Sequence, residues 1–165
     1  MKRKVKNITY AAMIAALYVT LTYMQNLLLP NSTTQAVQFR VSEALCVLAL
    51  FTPAAIPGLT VGCMLFNITA GAAPPDFVVG SLASLLAAWG MWLSRKVTVR
   101  GFPLLSLLLP AVSNGLLVGW MLSVYVGGAF WLNAGCVAAG EVGVLLTLGV
   151  CLFYALKKHE NRLFA

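Results

Sequence analysis

The chain has 165 residues, 61% hydrophobic and only 9% charged, too few polar side chains to cover a globular surface, so an integral membrane protein of one domain is expected. The net charge of +7 arises from 11 Lys and Arg against 4 Asp and Glu, but no aromatic residues interleave with the basic ones, which argues against nucleic acid as a partner. Cys46, Cys63, Cys136 and Cys151 stand singly in apolar runs, where they read as small packing residues rather than a disulfide framework or a metal knuckle.

Apolar runs cover 8–28, 41–52, 56–70, 77–94, 103–126 and 130–156. About 20 apolar residues cross a bilayer core as a helix. The expected fold is therefore all-α, six transmembrane helices in one bundle forming a single membrane domain over 1–165. Lys2, Arg3, Lys4 and Lys6 before the first run resemble the basic end of a signal peptide, but the run is too long and no small-residue cleavage site follows Pro30, so it is taken as a span. Early in it, Ala11 with Ala15 and Ala12 with Ala16 make small pairs that let another helix approach closely, either a partner docking from the inner side or a neighbour within the bundle.

The polar loop 30–39 follows, a cap over a pocket or simply the end of one helix and the start of the next. The second and third runs are short and are joined by a turn carrying Pro53 and Pro57, so either both cross or neither does. Lys and Arg accumulate in cytoplasmic loops. The clusters Lys2 to Lys6, Arg95–Lys96–Arg100 and Lys157–Lys158–Arg162 thus place both termini and the 95–100 loop in the cytoplasm. Arg40 alone falls near the outer face or within the membrane. No internal repeat is visible, which counts against many self-sufficient secondary transporters.

Glu141 lies roughly eleven residues into the last run, ~16 Å deep, where an ionised carboxylate costs about 2.5 to 3.5 kcal/mol and must face a cavity or a partner. Gly135, Ala139, Gly140 and Gly143 surround it with small residues. Asn67 and Asn114 are amides at middle to outer depth, suited to a ligand or to joining helices. Arg40 and Glu43, three apart, share a helical face and either neutralise each other or bracket a polar ligand. Asp76, after Pro74 and Pro75, reads as an N-cap of the fourth span and is also counted among the candidate substrate-binding residues. Trp131 belongs to an outer aromatic belt with Trp120, Tyr125 and Phe130, from which one ring could stack on a planar ligand. No nucleophile–base pair, metal-ligand cluster or phosphate loop is present, so neither catalysis nor a cofactor is expected.

The stretch Val37-Gln38-Phe39-Arg40-Val41-Ser42-Glu43-Ala44-Leu45, then Pro57-Gly58-Leu59 leading to Gly62-Cys63 and Asn67, then Asp76 with Gly80-Ser81-Leu82, is similar to the QueT family. Asn114-Gly115 and Gly140-Glu141 fit the same pattern, and the alanine motif resembles that of substrate-binding S components of energy-coupling factor (ECF) transporters. The resemblance implies a subunit that binds a queuosine precursor, a 7-deazaguanine such as preQ1, preQ0 or queuine. It also implies a transmembrane coupling subunit gripping Ala11, Ala12, Ala15 and Ala16, and two ATPases that supply the energy. Glu141 is the first choice and Glu43 the second for accepting the paired N–H groups of the guanine-like edge, with Asn67 and Asn114 on the remaining polar atoms. Alternatives are an S component for another vitamin-like ligand, a membrane assembly subunit without a small ligand, and a self-contained dimeric carrier.

Overall fold

The computed structural model describes residues 2–30, 39–99 and 101–163. Most of the polar loop 30–39, including the proposed cap, lies outside the described residues, as does Arg100.

Among the described residues every regular element is a helix. Helix α1 (Lys2–Leu28) continues the first apolar run back through the basic cluster. It is followed by a 3-10 helix (Val41–Leu50), α2 (Ala55–Thr69), α3 (Pro74–Ser94) and α4 (Leu104–Tyr125). The last rod is continuous and contains α5 (Phe130–Val144), a π-wound turn (Leu145–Gly149) and α6 (Val150–Lys158), with a short α7 (Glu160–Leu163) behind it. Four helices, Lys4–Leu28, Pro74–Ser94, Leu104–Tyr125 and Phe130–Lys158, are long and apolar enough to cross a membrane. Their outward faces carry large apolar side chains such as Leu27, Leu93, Leu105, Val124 and Leu132, a surface suited to lipid rather than water. The protein is a multi-pass membrane protein.

The expected α-helical span 41–52 is instead a 3-10 helix ending at Leu50. The tighter winding rises ~2.0 Å per residue, so ten residues reach ~20 Å where an α-helix would reach ~15 Å. One end is tied to α1, where Gln25 Oε1 accepts from Val41 N at 2.7 Å. At the other end Leu50 and Phe51 share a cleft with Arg95 and Lys157. The short segment thus crosses about half to two-thirds of the length of the long helices. It is buried from Ser42 to Val47 and packed against α1 through α6, as suits a helix whose eight residues besides Ser42 and Glu43 are apolar.

Helix α2 returns along α1. A Cβ on Gly58 would stand 2.8 Å from Ala11 O, and one on Gly62 would stand 2.8 Å from Tyr18 Cβ, so only glycine allows this approach. Its far end is held by a Tyr23 hydroxyl donating to Thr69 Oγ1 at 2.7 Å. Helices α4 and α5 meet as closely at Gly115 and Gly119. Asp76 is not the N-cap of α3: the helix begins at Pro74, because a fixed φ and a missing N–H suit the first turn, and Ala73 takes the cap position.

The Tyr10 hydroxyl donates to Leu163 O at 2.7 Å, and Lys157 Nζ lies 3.5 Å from Gly101 O. The start of α1, the α3–α4 turn and the end of α6 therefore occupy one end of the bundle, bringing the three basic clusters together.

Candidate ligand site

A small polar cavity lies among the 3-10 helix, α3, α4 and α5, lined by Arg40, Glu43, Gly80, Ser84, Asn114, Val118 and Glu141. It holds about 200 Å³ of space between atoms, little of it wide enough for a water molecule. Four of the residues singled out in the sequence, Arg40, Glu43, Asn114 and Glu141, meet here from positions up to a hundred residues apart.

The two carboxylates are used differently. Glu43 has both oxygens engaged: the Tyr18 hydroxyl donates to Oε1 at 2.6 Å and the Cys46 thiol to Oε2 at 3.2 Å. Glu141, 3% exposed, accepts from Asn114 Nδ2 through Oε1 at 2.8 Å, while its buried Oε2 has no hydrogen-bond partner among the described residues. A buried acceptor without a donor is costly, the more so on a charged group, and such a group calls for an explanation. Glu141 Oε2 is the atom in this site placed to receive one.

The wall carrying Arg40 and Glu43 is fixed by one face of α1. Tyr18, Thr22 and Gln25, spaced four and three apart, point the same way. Tyr18 reaches Glu43, Thr22 Oγ1 donates to Ser42 Oγ at 2.8 Å, and Gln25 bonds the backbone of Phe39 and Val41. Arg40 Nη1 approaches Cys63 Sγ at 3.7 Å, tying the same wall to α2.

The other expected site residues stand apart from the cavity. Asn67 is buried one layer behind Gly80, donating to Cys63 Sγ at 3.6 Å and to Asp76 O at 3.3 Å. Asp76 is half-buried in the first turn of α3, on the outer side of that layer. Trp131 is 77% exposed and packs edge-on against Phe130 at 4.7 Å. The inward positions of α5 are Asn133, Ala134, Val137 and Glu141, which turns Trp131 to the outside. Ser84 and Tyr18 escaped the sequence reading, and Gly80 entered it only within the Gly80-Ser81-Leu82 stretch. The signal for Gly80 and Ser84 was the run of small residues on α3, at Gly80, Ser84 and Ala88, four apart.

The alanine motif divides between two faces. Ala15 is buried, and Ala11 and Ala15 meet Gly58 and Gly62 of α2. Ala12 and Ala16 are exposed. Ala11, Ala12 and Ala15 also line an open apolar groove with Ile8, Pro53 and Pro57, about 800 Å³ of space at the end of the bundle opposite the cavity.

A multi-pass bundle that converges four polar side chains on one small cavity has the make-up of a carrier or receptor for a small polar molecule. The chain belongs to the QueT transporter family, whose profile matches residues 8–158. It is similar to a protein described as "Queuosine precursor transporter QueT" from Lactococcus lactis subsp. cremoris (strain MG1363), with 38% identity over 85 residues. That alignment covers 52% of this chain and 48% of the relative, so the matched part spans about half of the relative's length. No solved structure matches the chain.

Proposed function

We propose that this chain is the substrate-binding S component of an ECF-type importer and that its ligand is a queuosine precursor of the 7-deazaguanine class. The observation that carries the ligand reading is the unpartnered, buried Oε2 of Glu141 at the polar cavity. A guanine-like edge presents N1–H and an exocyclic amine side by side, and a carboxylate accepts both in a charge-assisted pair. Asn114 orients Glu141 from behind, Arg40 donates to the base's carbonyl oxygen, and Glu43 supplies negative charge for an aminomethyl cation such as that of preQ1. The cavity is narrow, so a flat bicyclic base enters by displacing the 40–43 wall. Asn67, Asp76 and Trp131 take no direct part in this arrangement. Calorimetry with preQ1, preQ0, queuine and guanine tests the reading: at least one deazaguanine binds more tightly than guanine, and equal or absent binding of all four overturns it.

In this reading the whole chain is one membrane domain with six passes, the 3-10 helix and α2 forming the second and third. Both termini and the α3–α4 turn are cytoplasmic, because they gather the basic residues. An impermeant thiol reagent applied to intact cells should label Ala72→Cys and not Thr98→Cys, above the background of the native thiols. The reverse pattern would invert the topology.

The open groove on α1 lies at that cytoplasmic end and takes a helix of the coupling subunit, with ATP hydrolysed in two partner subunits rather than here. Replacing Ala12, on the groove, and Ala16, exposed one turn further along α1, by Leu adds bulk to that face without touching the α1–α2 contact. Uptake in cells should fall at least tenfold, an order of magnitude per ~1.4 kcal/mol of lost docking, while deazaguanine affinity of the purified chain is unchanged. Uptake that survives both substitutions, or that proceeds without partner subunits, favours a self-contained carrier.

A further inference from the structure

We propose that a second cleft, at the basic end of the bundle, binds the headgroup of an anionic phospholipid. This inference is independent of the ligand proposed for the central cavity. The cleft lies between the α3–α4 turn, the end of the 3-10 helix and the last turns of α6, and holds about 480 Å³ of open space. Its floor is apolar, made by Leu50, Phe51 and Phe153, and Arg95 and Lys157 stand on its rim from separate elements.

Both cations are held in place by groups that leave their charge unneutralised. Arg95 lies 3.5 Å over the Trp92 ring and donates to Trp92 O at 2.5 Å. Lys157 lies 3.5 Å from Gly101 O and 5.4 Å from the Phe153 ring. Their partners are carbonyls and aromatic faces, and among the described residues no carboxylate pairs with either. Two fixed cations over an apolar floor fit a phosphate with carbon attached.

The surroundings decide that the carbon is a lipid's. Leu93, Val97, Val99 and Leu104 lie within two residues of the lining residues Arg95, Thr98 and Pro103, and Tyr154 follows Phe153, all exposed, with Leu93 the most so at 66%. An acyl chain lying along these residues keeps its phosphate at Arg95 and Lys157, whereas a free phosphate would leave the apolar floor uncovered. Basic pockets between transmembrane helices on the cytoplasmic side characteristically take anionic headgroups. Glu160 is also on the rim and opposes an anion, so the site carries one charge of the wrong sign whose removal has a distinct outcome.

Native mass spectrometry of the detergent-purified chain, titrated with phosphatidylglycerol or with phosphatidylcholine of the same acyl chains, tests the proposal. The parent should retain phosphatidylglycerol preferentially. Arg95→Gln and Lys157→Gln should each weaken it about fivefold, as expected for the loss of one interfacial charge. Arg95→Lys should keep most of the affinity, and Glu160→Gln should raise it. Lys4→Gln with Lys6→Gln, at the same end but not among the residues that line the cleft, should leave it unchanged. Equal retention of the two lipids overturns the proposal, as does an equal loss in the Lys4/Lys6 variant, which would reveal only diffuse attraction. Displacement of phosphatidylglycerol by millimolar inorganic phosphate would assign the cleft to free phosphate and overturn it as well.

Discussion

Glu141→Gln should weaken binding of a 7-deazaguanine by roughly thirtyfold to several thousandfold, the equivalent of about 2 to 5 kcal/mol for one partner of a buried, charged hydrogen bond. The substitution keeps the shape of the side chain. The amide oxygen can still accept from Asn114 Nδ2, which now stands 2.8 Å from Glu141 Oε1, so the helix packing has no reason to change. The amide nitrogen then takes the place of the unpartnered Oε2 and sets a donor against the N–H groups of the base. Glu43→Gln is the informative comparison, because both oxygens of Glu43 already accept hydrogen bonds, from Tyr18 and Cys46. It should disturb the wall of the cavity and reduce affinity by less. Calorimetry on the two variants separates the roles: a Glu141→Gln protein that folds and binds as tightly as the parent would remove Glu141 as the recognition carboxylate.

Gly119→Ala should lower the thermal midpoint in detergent by roughly 2–12 °C, since overpacking a close contact costs about 1 to 3 kcal/mol and each kcal/mol is worth about 2 to 4 °C in a chain of this size. A Cβ at that position would stand 2.6 Å from Ala134 Cα and 2.8 Å from Ala134 N, both backbone atoms that cannot rotate away. The helices must separate instead. Asn114 lies on the same stretch of α4 and Glu141 on the same stretch of α5, so ligand affinity should fall together with stability. Gly143→Ala is the control: a Cβ there meets nothing within 4 Å, and alanine is the better helix former by about 1 kcal/mol. Melting followed by tryptophan fluorescence should show the two substitutions moving in opposite directions, and equal midpoints would mean that the α4–α5 contact is looser than its geometry.

The passes of the chain are legible in hydropathy because Pro, Gly and charged residues interrupt the apolar runs at nearly every turn. The winding of the second run is not, since a 3-10 and an α-helix draw on the same apolar residues and only the available span and burial on every side separate them. Arg40, Glu43, Asn114 and Glu141 stood out as polar groups at membrane depth, where each must have a reason. Tyr18, Thr22 and Gln25 did not, although their spacing of four and three puts them on one face of α1. In a membrane helix the lipid side is as apolar as the protein side, so the pattern that would mark a buried face in water is faint. Trp131 was left between two readings for the same reason: an aromatic near the outer end reads alike whether it turns to lipid or to a ligand. Asp76 carried a local signal that Pro74 outcompeted.

The last rod holds a consequence in its winding. Val137, Glu141, Leu145, Gly149 and Phe153 are all buried, and they recur every four residues. In a regular α-helix of 3.6 residues per turn such a row drifts by about 40° at each step, and over its length it would wander from the core to the lipid. The π-wound turn at Leu145–Gly149 takes an extra residue into the turn and rotates the row back. Glu141 at the polar cavity and Phe153 on the floor of the basic cleft therefore point to the same side of one rod. Without that turn, α6 would present a different stripe of residues beneath the cavity, and the rod could be in register at one end or the other but not at both.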